Sequence, residues 1–200
     1  MKILKASLLL CLLAAILGAG GCPKPKPDTQ AIENGGFDQN LAGWATDGDV
    51  EVVGGSAKLA DTTDDYSLLL QTVSVNTGQY ILDFEFANRM SPFLADPDSG
   101  FGFQDICFAS LYFVDDLDGF DLEIAGSQNF ISLFNLDFEG PYDVAGTITQ
   151  SKLKSGWWHF TVPFQNNWKY AVPVFELLDM NGAENDSAIL VDDVVIAPAR

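Results

Sequence analysis

From residue 31 onward, apolar and polar residues alternate through short segments bounded by turn residues. Tyr80, Leu82, Phe84 and Phe86 alternate with Ile81, Asp83, Glu85 and Ala87. A period of two with one apolar face predicts a half-buried strand. Residues 67–75 are rich in Leu and Val. Residues 105–114 are apolar on both faces, which predicts a central strand covered on both sides. Residues 130–138, 157–163, 170–178 and 188–196 read as further strands. Gly54-Gly55, Asn76-Thr77-Gly78 and Asn181-Gly182 supply turns between them. No segment has the spacing of an amphipathic helix. Many short strands with regular turns predict an all-β fold, an antiparallel β-sandwich. Residues 115–150, with aromatics at Phe120, Phe130, Phe134, Phe138 and Tyr142, read as an elaborated hairpin or inserted loop packing on one sheet, or else as extra core.

The first 21 residues follow a different pattern. Lys2 and Lys5 precede an apolar run that ends in Gly20-Gly21-Cys22. This is the layout of a secretory signal, and the run is short for a membrane span. It resembles a bacterial lipoprotein signal, which implies lipidation at Cys22 and a mature chain starting there. An ordinary secretory signal that contains a cysteine is the other reading. Pro23-Lys24-Pro25-Lys26-Pro27 follows, and alternating prolines make a stiff, extended spacer. The chain therefore divides into a signal (1–21), a linker (22–30) and a sandwich domain (31–197). The expected location is the bacterial cell envelope, exported and held at a membrane through a lipid anchor.

The formal net charge is −18, and between Lys58 and Lys152 the one basic residue is Arg89. A phosphate backbone would be repelled, which argues against nucleic acid as a partner. Acidity does supply oxygen ligands for hard cations. Outside the signal and the lipidation position the one cysteine is Cys107, in an apolar run. It reads as a small buried hydrophobe. His159 is the single histidine, so neither a histidine-based triad nor a histidine-rich metal site can be built around it.

Four pieces occur in order: Asn34-Gly35-Gly36-Phe37-Asp38 with Gly43-Trp44, Asn76-Thr77-Gly78-Gln79-Tyr80, Gly156-Trp157, and Ile189-Leu190-Val191-Asp192-Asp193-Val194. In this order they resemble carbohydrate-binding modules of the family 4/9 type, jelly-roll sandwiches related to galactose-binding-like domains. The middle of the chain resembles uncharacterised exported bacterial sandwich domains. Some of those modules hold a structural calcium where the first strand meets the last. Carried over by position, the resemblance implies a Ca2+ site from the Gly36 carbonyl, Asp38, Asp64, the Ser67 carbonyl and Asp192. Asp192 lies among Leu190, Val194 and Ile196, where a lone buried carboxylate would be costly and a cation partner would offset the cost. Alternatively Asp192 caps backbone amides or faces solvent. A second acidic loop, residues 179–186, reads as a solvated turn.

Sugar binding in such modules uses an aromatic platform on one sheet. Where some relatives place a tryptophan, this chain has Glu85, and Ala87 stands in place of their arginine. Trp158, Trp168, Tyr170 and Tyr142 are the replacement platform residues. Trp157 and Trp158, as strand neighbours, point to opposite faces, and Trp44 is expected in the core. Glu85, Glu123, Glu139 and Glu176 are the carboxylates that a glycosidase reading would need, and none falls in a compact motif. The expected function is non-catalytic extracytoplasmic binding, of a glycan or another envelope component. The alternatives are a structural or adhesive envelope protein without a small ligand and, third, a glycoside-active enzyme.

Overall fold

The computed structural model describes residues 31–60, 66–92, 104–117, 129–180 and 187–199. Among them there is no helix, and thirteen strands form two antiparallel sheets. The strands are β1 (Ala45–Asp47), β2 (Asp49–Val53), β3 (Ser56–Ala60), β4 (Tyr66–Leu70), β5 (Val73–Ser74), β6 (Gly78–Asn88) and β7 (Ile106–Val114). They continue as β8 (Phe130–Asp137), β9 (Gly140–Tyr142), β10 (Thr147–Gln150), β11 (Trp158–Asn166), β12 (Tyr170–Leu178) and β13 (Ala188–Pro198). The first sheet has the order β1-β4-β12-β7-β8-β9, with β5 beside β12. The second has the order β10-β11-β6-β13-β3-β2. The chain crosses repeatedly from one sheet to the other, so strands near in sequence lie on opposite layers. This is an antiparallel jelly-roll sandwich.

The core follows from the alternation. Leu82, Phe84 and Phe86 of β6 point inward, as do Phe160, Val162 and Phe164 of β11 and Ile189 and Val191 of β13. They meet Cys107, Ala109, Leu111 and Phe113 of β7 and Ala171, Phe175 and Leu177 of β12. Phe84 is the hub. Its ring centroid lies 4.9 Å from Phe160, 5.0 Å from Phe175, 5.9 Å from Phe134 and 6.1 Å from Phe86. Phe134 and Phe175 belong to the first sheet, so Phe84 joins the layers. In β8 the pairing steps from Ser132 opposite Ser110 to Phe134 opposite Ala109, leaving Leu133 as an extra residue. This bulge lets consecutive Leu133 and Phe134 both enter the core. Cys107 is fully buried, and burial pushes its thiol well above the usual range, as expected of a packing residue.

The first segment is tied to the last strand, as expected near Ile32 and Val191. Ala31 N–H donates to the Ile196 carbonyl at 3.0 Å and Val194 N–H to the Gly35 carbonyl at 3.0 Å. A Cβ on Gly35 would lie 2.0 Å from the Val194 carbonyl oxygen, so glycine is required by close approach. Asn34 arranges the loop that follows: its side-chain amide donates to the carbonyls of Asn40 and Ala42, and its Oδ1 accepts from Gln39 N–H. Trp44 is buried, 5.3 Å from Phe37, and its indole donates to the Asn34 carbonyl.

Two expectations need correction. Residues 67–75 are not one strand, because β4 ends at Leu70 and β5 begins at Val73. Gln71 between them turns inward and bonds both the N–H and the carbonyl of Glu33. Residues 115–150 do not pack on one sheet. β8 and β9 lie in the first sheet, but β10 pairs with β11 in the second.

Truncating the hub tests this account. Phe84→Ala is expected to lower stability by about 3–5 kcal/mol, read from the denaturation midpoint of the folded chain. A loss below about 1 kcal/mol would show that the sheets do not depend on this ring.

Candidate functional site

Because side chains alternate, the first sheet has a second face turned away from the core. On β4 it carries Tyr66, Leu68 and Leu70. β12 contributes Tyr170, Val172, Val174, Glu176 and Leu178, and β7 contributes Ile106, Phe108, Ser110, Tyr112 and Val114. Registry aligns these into rows. Leu68, Glu176, Phe108 and Asn135 form one row, and Val172, Tyr112 and Phe130 another. Val172 and Val174 are fully buried even on this outer face, in a second apolar cluster with Tyr112 and Val114 against Leu68, Leu70 and Tyr170. The expectation that β7 is covered on both sides is met here.

Glu176 is the one carboxylate on the outer face of β4, β12 and β7. The Tyr66 hydroxyl donates to its Oε1 at 3.1 Å. Burial raises the Glu176 carboxyl above its ordinary value, and the Tyr66 bond only partly offsets this. Tyr66 is pushed far up, first by burial and then by the Glu176 charge. Tyr112 is raised by the same two causes, while its hydrogen bond with Ser110 opposes them. Its ring stacks on Phe130 with centroids 5.2 Å apart and planes at 20°. Phe130 is 41% exposed, so this stack presents a ring to solvent. The face thus combines two phenols, one desolvated carboxyl, a serine hydroxyl and a flat aromatic stack.

Of the residues expected to bind ligand, Tyr170 belongs to this face. Trp158 does not: it packs against the core and pairs with Phe86. Trp168 closes one end of the core, stacked 5.0 Å from Phe113. The Asn166 side chain fixes that corner by donating to the carbonyls of Val75, Asn76 and Trp168. Tyr142 lies on β9 at the edge of the first sheet, opposite Asn135, and is 38% exposed. Glu85 lies on the outer face of the other sheet. The sequence reading passed over Tyr66, Tyr112 and Phe130 as ligand residues, and took Glu176 only as a glycosidase carboxylate. Their shared parity on paired strands was the available signal, but it needs the pairing of β4, β12, β7 and β8.

Of the expected calcium ligands that the structure describes, Ser67 and Asp192 lie at opposite ends of β3. Ser67 accepts from Asp49 N–H and donates to the Ala60 carbonyl. Asp192 accepts from Ser56 Oγ at 2.8 Å. Ala60 and Ser56 are the two ends of β3, about 13 Å apart at the usual strand rise. Asp38 is exposed, and Gly36 lies against Asp193 rather than Asp192. Asp64 and residues 181–186 lie outside the described residues. Among those described, no group of three or more His, Cys, Asp or Glu is arranged to hold a metal ion. Asp192, buried as expected, receives its positive partner from Lys154, whose ammonium bonds Asp192 and, at 3.2 Å, Asp193. Burial of the ammonium works against its charge, but Asp192 and then Asp193 outweigh it and hold Lys154 above its ordinary range. A bulge in β13 places both acids within reach: the two residues between Asp192 and Val195 face the one between Glu85 and Asp83 on β6, and Asp193 is left-handed at φ 51°.

No family model matches the chain, and no curated protein does. The solved structures that align with the chain include carbohydrate-binding modules. TmCBM61, in complex with β-1,4-galactotriose, is 13% identical with a TM-score of 0.48, over 85% of this chain and 99% of that one. The C-terminal family 22 module of Clostridium thermocellum Xyn10B is 12% identical with a TM-score of 0.49, over 88% and 98%. A CBM4 structure is 14% identical with a TM-score of 0.45, over 84% and 99%.

The state of Glu176 has a measurable consequence. Its folded pKa is raised, so its contribution to stability is present below the ordinary glutamate value of 4.5 and is lost as pH rises through the folded value. Relative to wild type, Glu176→Gln should therefore gain stability as pH rises through and above 4.5, and then level off. Thermal melts of both proteins across that window check the sign. A wild type that gains on the variant with rising pH would contradict it.

Proposed function

We propose that the outer face of the first sheet binds a neutral carbohydrate and performs no chemistry on it. The observation that carries this reading is the Tyr66–Glu176–Tyr112 cluster beside the Tyr112–Phe130 stack. Sugar rings have apolar faces that stack on aromatics and hydroxyls that need directed partners. Phe130, backed by the buried Tyr112 ring, supplies the first. Glu176 and Tyr66, both half-buried, supply the second, with Ser110 buried beneath them. A chain of net charge −18 disfavours an acidic sugar. Hydrolysis in the usual manner needs two carboxyl groups flanking one bond, and the central strands of this face offer Glu176 alone. A structural or adhesive protein without a small ligand is the competing reading.

Affinity electrophoresis through neutral polysaccharides, or a glycan array, tests it. Wild type should be retained by at least one neutral glycan, and Phe130→Ala should weaken retention about tenfold or more, the effect of ~1.4 kcal/mol of stacking. No retention by any neutral glycan, or equal retention of the variant, would favour the structural reading.

The same proposal places the domain outside the cytoplasm, acylated at Cys22 and held off the membrane by the Lys-Pro spacer. Cys22→Ala should move the protein from the membrane fraction to the soluble one. Mass analysis of the wild type showing no acyl group would remove the anchor.

A further inference from the structure

The outer face of the second sheet carries a different arrangement. Strand registry sets Thr149, His159, Glu85 and Asp192 side by side on β10, β11, β6 and β13. Asp83 is two residues along β6 on the same face. His159 leans on both acids of β6, with Nδ1 3.5 Å from Glu85 Oε1 and Nε2 3.5 Å from Asp83 Oδ1. Like charges directly opposite on paired strands repel, and Glu85 faces Asp192 in that way. Lys154 neutralises part of this charge at Asp192 and Asp193, and no ion pair joins it to Glu85.

Glu85 is the unusual member. Its side chain is 7% exposed, and its Oε2 is buried without a hydrogen-bond partner. A buried carboxylate oxygen left unmatched is costly and calls for an explanation. Four acids share the patch with one ammonium, so the row retains an excess of negative charge. The patch also displays the kind of cation it accepts. The Lys154 ammonium sits 4.6 Å from the Trp157 ring centroid while bonding two carboxylates. An aromatic face joined to carboxylates is the chemistry that recognises an organic ammonium. The described residues are not arranged to hold a metal ion.

We propose that the outer face of the second sheet is a binding site for a small organic ammonium, with Glu85 as its buried acceptor and Asp83 and Asp192 as the flanking charges. His159, whose side chain is 40% exposed, is the side chain that yields to admit the ligand. The shared chemistry is a primary amine, carried by a deacetylated amino sugar or by a polyamine. This site lies on the opposite sheet from Tyr112 and Glu176 and does not depend on glycan binding there.

Titration calorimetry of the full-length protein at fixed ionic strength tests the proposal, with glucosamine, N-acetylglucosamine, spermidine and calcium as probes. Glucosamine or spermidine should bind saturably, and which of them binds identifies the source of the amine. N-Acetylglucosamine, which has the same ring without the charge, should not bind at this site. Glu85→Gln should weaken amine binding about tenfold or more, while melting no lower than wild type because it removes an unmatched buried charge. Asp83→Asn, a change at a half-exposed position, should also weaken it. Absence of saturable amine binding would overturn the proposal. So would N-acetylglucosamine binding that Glu85→Gln weakens as much as it weakens amine binding, an unchanged Glu85→Gln, or calcium displacing the amine. Neutral-glycan retention measured on Glu85→Gln should equal that of wild type, which separates a failure here from a failure on the first sheet.

Discussion

The contact of Phe84 with Phe134, Phe160 and Phe175 is the constraint on which the two layers depend. One ring from β6 meets rings from both sheets, so the spacing of the layers is fixed at the centre of the sandwich. With aromatics filling the space between the sheets, little room remains inside for a ligand. Chemistry is therefore displaced to the two outer faces. Each face then expresses whatever the other parity of the same strands encodes. β12 shows this well: Ala171, Phe175 and Leu177 pack inward, while Tyr170 and Glu176 are left for the outside.

The two outer faces differ in kind. That of the first sheet is aromatic and nearly uncharged at its centre, and the one acid of its central strands is held by a tyrosine. That of the second sheet is polar and acidic, with Glu85, Asp83 and Asp192 around one histidine and one lysine. The difference follows from position. The outer face of the first sheet buries a second apolar cluster, which desolvates Glu176 and raises both neighbouring phenols. On the second sheet Lys154 comes over from the loop between β10 and β11 and clasps the bulge of β13. The bulge also adjoins the Gly35–Val194 contact, so the amino-terminal segment, the last strand and the β10–β11 loop meet in one place.

The fate of Asp192 shows how a sound physical premise can select a different partner. A buried acid in an apolar strand does need a positive charge. Sequence resemblance implies a metal ion held by Gly36, Asp38, Asp64, Ser67 and Asp192. The fold sets Ser67 at the far end of β3 and brings Lys154, 38 residues away in sequence, onto Asp192. No local pattern announces a lysine that crosses from a loop between two other strands.

The alternation in residues 80–86, the doubly apolar run before Val114 and the turn residues between strands determined an all-β sandwich from the sequence alone. Period and burial are local properties, readable one segment at a time. The burial of Cys107 and Trp44 was legible for the same reason. What tertiary structure decided was partnership. Trp158 and Trp168 are aromatic and near turns, yet both pack against the core, Trp158 opposite Phe86 on β6 and Trp168, between β11 and β12, on Phe113. Tyr66, Tyr112, Phe130 and Glu176 are far apart in the chain and came together because β4, β12, β7 and β8 are neighbours in one sheet. A strand's own sequence states which residues share a face, whereas hydrogen bonding between distant strands decides which faces are joined.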